Sequence, residues 1–241
     1  MKTVRLDKLL ANLGYGSRRE IAILARNGRI RLDGAVLREA DAKIGIDEAA
    51  TLAVDGEPVD PLPGFVLMMH KPVGVTCSHK EAGPLVSKLL PERWRRREPA
   101  ISTVGRLDKE TSGLLLLTDD GALLHRIISP KAEIPKNYRA TLARDLSGEE
   151  AAIFASGGLM LEDEDKPLLP ARLDVVGPRE AVLTIVEGRY HQVRRMFAAV
   201  GNHVERLHRE RIGGLNLPAD LAAGDWVVLA PGEVEKVFIV T

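Results

Sequence analysis

With 241 residues the chain can bury one large core, or a small core beside a medium one. Its 45% hydrophobic and 28% charged residues are ordinary for a globular protein, and no apolar run approaches bilayer-spanning length. The single cysteine, Cys77, excludes an internal disulfide, and MKTVRLDKLL has no signal-peptide apolar stretch, so a reducing cytoplasm is the expected compartment.

The formal net charge of zero conceals segregation. Residues 1–31 hold eight Lys/Arg against two acids, a balance of +6, and residues 32–60 hold two against eight, a balance of −6. Further basic clusters are Arg93-Trp94-Arg95-Arg96-Arg97 and Arg206-Leu207-His208-Arg209-Glu210-Arg211, and acids gather at Glu162-Asp163-Glu164-Asp165. Such segregation gives a neutral chain basic faces that suit a polyanion, although charge runs are more often plain solvated surface.

Leu6, Leu9, Leu10 and Leu13 recur at helical spacing with Gly14 as a stop, which predicts a first helix. Ser17-Arg18-Arg19-Glu20 has the Ser-x-x-Glu form of a capping box and predicts a second, running to Asn27-Gly28. Arg29-Ile30-Arg31-Leu32 alternates polar and apolar and ends in Asp33-Gly34, a hairpin turn signal. Short strands are expected at 35–37 and 51–54, with Asp55-Gly56 turning the chain again. The breaker cluster Asp60-Pro61-Leu62-Pro63-Gly64 reads as a linker that divides residues 1–60 from residues 61–241.

Beyond it, residues 65–69 predict a strand that leaves through the Pro/Gly loop His70-Lys71-Pro72-Val73-Gly74-Val75. Leu114-Leu115-Leu116-Leu117 reads as a buried strand. Residues 119–129 read as a helix capped by Asp119 or Asp120. Residues 175–176 and 181–186 suggest paired strands around Gly177-Pro178, and 191–200 a helix with Val193, Met196, Phe197 and Val200 on one face. Strands and helices intermingle without a βαβ repeat, which favours an α+β fold over a doubly wound sheet.

The chain has no Walker loop, no GxGxxG after a strand, no His-Glu-x-x-His and no Cys-x-x-Cys, and its histidines are not spaced as metal ligands. Neither cofactor nor metal is therefore expected, and chemistry would run on side chains alone: acyl, glycosyl or proton transfer. Cys77 has little beside it except His79 and reads as a half-buried structural thiol. Arg93–Arg97 reads as a solvated loop or an RNA contact, with Trp94 stacking on a base or anchoring the loop.

The most informative stretch is Val104-Gly105-Arg106-Leu107-Asp108-Lys109-Glu110-Thr111-Ser112-Gly113-Leu114-Leu115-Leu116-Leu117-Thr118. It sets Asp108 between two cations, which favour a charged carboxylate, and ties it to a strand able to hold it rigidly. Taken alone, Asp108 can equally just tighten a loop. Over fifteen residues, however, the stretch closely resembles the catalytic motif of the pseudouridine synthases that modify ribosomal RNA.

That resemblance implies a catalytic domain with a mixed or antiparallel sheet and no cofactor, in which Asp108 is the nucleophile or charge stabiliser. It also implies that Tyr138, within Lys136-Asn137-Tyr138, stacks on the target base near C5. In Glu187-Gly188-Arg189-Tyr190-His191-Gln192-Val193-Arg194-Arg195-Met196-Phe197, Arg194 would form an ion pair with Asp108. Arg106 and Lys136 would contact substrate; His191 has no assigned task, and Arg195 reads as surface.

Residues 3–50 are similar to the S4 RNA-binding domain, through Arg5-Leu6-Asp7-Lys8-Leu9-Leu10, Gly16-Ser17-Arg18-Arg19-Glu20 and Gly28-Arg29-Ile30. Arg18 and Arg19 at a helix N-terminus would form a phosphate site, extended by Arg5, Lys8, Arg29 and Arg31.

Tyr190-His191-Gln192-Val193 and the stretch from Gly201 to Gly214 point to the small-subunit branch of the family. The expectation is a cytoplasmic monomer, away from membranes, acting on ribosomal RNA or a subunit assembly intermediate. The alternatives are a large-subunit synthase, a non-catalytic RNA-binding or ribosome-assembly factor, and a ribosome-binding stress protein, which would account only for the first sixty residues.

Overall fold

The computed structural model describes residues 3–78 and 83–239, and the chain falls into two compact units. The first comprises Met1–Val66 with Ser87–Ser102 and Thr118–Asp120, so it takes in segments well beyond the Pro/Gly stretch at 60–64.

The two leucine-rich turns form α1 (Leu6–Asn12), which Gly14 closes at φ +89°. The capping box forms as read. Ser17 Oγ accepts from the Glu20 N–H at 3.3 Å and Glu20 accepts from the Ser17 N–H at 2.7 Å, opening α2 (Arg18–Arg26). Leu6, Leu9, Leu10 and Leu13 bury against Ile21, Ala25, Ile30, Ile44, Leu52 and Val54. Each large side chain so buried contributes roughly 1.5–3 kcal/mol relative to exposure.

Two strands escaped the pattern reading: β1 (Thr3–Arg5) pairs antiparallel with β4 (Lys43–Gly45), and three residues each are too few to show an alternation. Between them, β2 (Ile30–Leu32) pairs β3 (Ala35–Val36); beyond them come β5 (Ala53–Val54) and β6 (Glu57–Pro58), giving a sheet ordered β3-β2-β5-β6. Thr51, expected in a strand, instead ends the 3₁₀ turn Glu48–Thr51. Asp33-Gly34 and Asp55-Gly56 both have positive φ at their two residues, the backbone that tight hairpins need.

The arginine run is only partly solvated. Trp94 is buried edge-on to Phe65, at 5.5 Å and 71° between rings. Arg97 is buried with Asp119 at 3.1 Å, both side chains 1% exposed. Asp119, expected as a helix cap, is therefore committed to Arg97 and to the Gly64 N–H at 2.8 Å, because a carboxylate this deep needs a cation. Arg93 pairs with Asp60 and lies over the Tyr15 ring.

The second unit is built on β7 (Val66–Lys71), β8 (Ser102–Thr103), β9 (Thr111–Thr118), β10 (Lys136–Leu142), β11 (Arg172–Gly177), β12 (Glu180–Ile185), β13 (Val204–Ile212), β14 (Leu215–Asn216) and β15 (Trp226–Val228). The order is β11-β12-β10-β13-β9-β7-β15, with β14 on β13 and β8 on β9. The sheet is mixed: β10 is antiparallel to β12 and β13, and β13 is parallel to β9. With helices α3 (Gly121–Ile128), α4 (Glu150–Ala155), α5 (Gln192–Ala199) and α6 (Pro231–Val234), the architecture is α+β, as expected. Leu114 to Leu117 are buried as read, and Phe197 of α5 meets Phe154 of α4 edge-on at 5.3 Å.

Gly113 decides how closely β9 and β13 approach. It sits at φ +114°, and a Cβ there would collide with the backbone of Arg209. Among the described residues no helix is long and apolar enough to cross a membrane.

Candidate active site

Asp108 stands on the loop that enters β9, and every carbonyl from Asp108 to Thr111 is engaged. The Asp108 carbonyl accepts from the Thr111 N–H at 3.0 Å, and that of Lys109 from the Gly74 N–H at 2.8 Å. The Glu110 carbonyl accepts from the Arg194 guanidinium at 3.0 Å. The Thr111 carbonyl accepts from Lys71 Nζ at 2.8 Å, and the same ammonium reaches Pro72 at 2.9 Å and Lys109 at 3.4 Å. A loop with its carbonyls tied from three directions holds the Asp108 side chain in place without using that side chain. The Asp108 carboxylate is 35% exposed, and His191 Nε2 lies 3.4 Å from its Oδ1.

Lys71, at the end of β7, is wholly buried. Burial pushes its ammonium below the ordinary lysine value, while Cys77, Asp108 and Glu110 act in the opposite direction. Its ammonium donates to three carbonyls, those of Pro72, Lys109 and Thr111, which makes it a tether for the loop. Pattern reading placed Lys71 in a Pro/Gly loop with no task; the available signal was a lysine ending an otherwise apolar strand, Phe65–Met69.

Tyr138 in β10 is buried, and its hydroxyl accepts from Arg209 Nη1 at 3.2 Å. Arg209 itself is 3% exposed, donates from Nε to the Leu114 carbonyl at 2.8 Å, and keeps Nη2 buried without a hydrogen-bond partner among the described residues. Arg209 belongs to a run that reads as a basic surface; β13 pairing instead turns it into the sheet, beside Gly113. Lys136 lies half-buried near it, donating to the Ile134 carbonyl at 3.1 Å. Burial pushes its pKa down to about 8, the Arg209 cation acts the same way, and Glu187 opposes both.

Arg194 does not reach Asp108. Its guanidinium donates to the Val204 carbonyl at 2.7 Å and to Glu110, so it grips the loop backbone where the sequence predicts an ion pair with the carboxylate. Arg195, read as surface, pairs with Glu164 at 2.9 Å, and Arg189 with Glu164 and Glu187, each at 3.1 Å. The acidic stretch 162–165 thus fastens the turn that starts α5. Arg106 is exposed at the mouth of the loop. Cys77 is buried, its thiol pushed up by burial; His79 lies outside the described residues. No group of three or more His, Cys, Asp or Glu is placed to hold a metal among the described residues.

In the first unit the expected phosphate-binding residues divide. Arg5 and Arg18 both clamp Asp7, at 2.9 and 3.0 Å, and the Arg5 hydrogen bond leads in drawing the Asp7 carboxyl below its ordinary value. Arg29 pairs with Asp55. Lys8 and Arg19 are exposed and make no ion pair among the described residues.

Residues 65–199 match the model of the RNA pseudouridylate synthases and residues 4–48 that of the S4 domain. The chain belongs to the RNA pseudouridylate synthase family. It is 42% identical to the ribosomal small subunit pseudouridine synthase A of Escherichia coli (strain K12), over 97% of this chain and 100% of that one. It is 41% identical to the protein of the same name from Yersinia pestis, over 97% and 98%. A crystal structure of a pseudouridylate synthase superposes with a TM-score of 0.68 at 34% identity, covering 97% of this chain and 99% of the other. This pseudouridine synthase therefore carries its S4 domain and its Asp108 loop along one chain, in the order that the sequence predicts.

Proposed function

We propose that this synthase isomerises a uridine of small-subunit ribosomal RNA to pseudouridine with Asp108 as the reacting carboxylate and no cofactor. The observation that carries the mechanism is the Asp108 loop: all four carbonyls are tied, and the carboxylate is partly exposed. The substrate follows from the relatives, which are named for the small subunit and match 97% of the chain.

In the reaction the bond from C1′ to N1 breaks, the uracil turns, and C1′ joins C5. C5 loses a proton and N1 gains one, so the reaction needs neither water nor a redox partner. A glycosidase uses two carboxylates because it must also activate water. Here the leaving base is also the acceptor, so one carboxylate suffices. Arg194 and Lys71 keep the loop rigid, and Tyr138, its hydroxyl held by Arg209, lines the place of the flipped base. Arg106 and Lys136 meet the substrate, while Lys8 and Arg19, joined by Arg5, Arg18 and Arg29 once RNA phosphate competes for their acids, supply backbone contacts. The enzyme acts as a cytoplasmic monomer on free or partly assembled subunit RNA.

The test incubates the wild type and Asp108→Asn with unmodified small- and large-subunit RNA, free and partly assembled, and locates product by mass spectrometry after a pseudouridine-specific label. One new pseudouridine in small-subunit RNA, absent with the variant, is expected. Product only in large-subunit RNA would overturn the substrate assignment. RNA binding with no product on any substrate would replace the reading with a binding factor.

A further inference from the structure

We propose that His191 is the positioning residue for Asp108, holding its carboxylate toward the substrate; this rests on the functional reading above. Three observations meet at this side chain. Its Nε2 lies 3.4 Å from Asp108 Oδ1. Arg194, the nearer expectation, is spent on two backbone carbonyls. His191 also sits in the left-handed region at φ +48°, ψ +31°, a conformation that costs a residue with a Cβ and persists only where its surroundings enforce it.

The surroundings do enforce it. Arg195 donates to the Tyr190 carbonyl at 3.2 Å and pairs with Glu164, while Gln192 accepts from the Arg189 N–H at 2.9 Å. The Tyr190 ring stacks on the imidazole at 3.9 Å and 14° between planes, although it is itself 76% exposed. An exposed aromatic that covers one face of the imidazole restricts its rotation and leaves the ring edge, with Nε2, directed at Asp108. To donate to Oδ1 the imidazole must carry its proton on Nε2. A backbone held off its preferred conformation, a stacked ring and a contact with the Asp108 carboxylate together describe a part built to aim Asp108.

The experiment separates that role from backbone geometry. Asn and Gly both tolerate positive φ, so His191→Asn and His191→Gly relieve the strain while removing the imidazole. Single-turnover pseudouridine formation should fall at least tenfold in both, with the dissociation constant for RNA within threefold of the wild type. Added imidazole should restore part of the rate to His191→Gly and none to Asp108→Asn. In the free protein, the carboxyl ¹³C resonance of Asp108, assigned by its loss in Asp108→Asn, should shift in His191→Gly and return with imidazole. Wild-type rates in either variant, a loss confined to RNA affinity, or an unmoved resonance would overturn the assignment. A wild type that makes no pseudouridine would overturn the functional reading instead, and the resonance would still report whether His191 holds Asp108.

Discussion

Replacing Lys71 with methionine removes the ammonium that ties three carbonyls while leaving a side chain of similar length. Two of its hydrogen bonds are short, 2.8 Å to Thr111 and 2.9 Å to Pro72, and the third, 3.4 Å to Lys109, is weak. A hydrogen bond with a charged donor contributes roughly 1.5–3 kcal/mol, so the two short ones are worth about 3–6 kcal/mol in gross terms. Removing a buried charge returns part of this through its relieved desolvation, which leaves a net loss of roughly 2–3 kcal/mol. For a chain of this length such a loss lowers the melting temperature by about 4–12 °C. The larger effect falls on catalysis. Thr111 and Lys109 flank the Asp108 loop, and a displacement of about 1 Å at a reacting group costs on the order of a hundredfold in rate. Thermal melting, single-turnover kinetics and RNA affinity measured on one preparation check this. The expected result is a modest fall in melting temperature, a fall in rate of tenfold or more, and unchanged RNA affinity, with faster hydrogen exchange at the Gly74 and Thr111 amides. A variant that melts early but reacts at the wild-type rate would refute the tether.

Arg194→Met should also slow turnover through the loop, because Arg194 grips the Glu110 carbonyl. In a double-mutant cycle with Lys71→Met the two losses should fall short of additive, and strict additivity would show that the residues act separately. Gly113→Ala combines a positive φ with a collision against the Arg209 backbone, so it should cost more than about 3 kcal/mol and leave little folded protein by circular dichroism. A melting curve like that of the wild type would mean that β9 and β13 are free to move apart. Lys136, with its pKa lowered to about 8, should titrate well below the ordinary lysine value by selective-label NMR. Between pH 8 and the ordinary lysine value the unfolded chain holds a proton that the folded chain has released, so stability should rise with pH there, by at most ~1.4 kcal/mol per pH unit. The rise should shrink in Lys136→Met, leaving the part that the buried Lys71 contributes; an unaltered slope would place the titration elsewhere.

Local signals were legible wherever one short stretch carried all the required chemistry. The capping box at Ser17 and Glu20, the Asp-Gly turns and the Leu114–Leu117 run stand in the structure as the pattern implies. The two family resemblances likewise rested on contiguous residues. Pairs distant in sequence were not legible. Arg97 lies in a run of five residues rich in arginine, and nothing in that run shows that Asp119 will draw it inside. Arg209 reads as one more basic residue until β13 pairs with β9 and turns it toward Tyr138.

The sequence by itself determined the two helices of the S4 domain and the family, and it singled out the stretch around Asp108, because periodicity, caps and motifs are properties of neighbouring residues. Tertiary structure alone decided how Asp108 is held. Lys71 comes to the loop from 37 positions earlier, Arg194 from 86 later and His191 from 83 later. Charge and residue type assign none of the three to the backbone of that loop, whereas the mixed sheet brings them together and lets a buried ammonium, a guanidinium and an imidazole on a strained backbone divide the backbone and the carboxylate of one loop among them. Burial and pairing across the sheet set those roles, and neither is a property of any short stretch of chain.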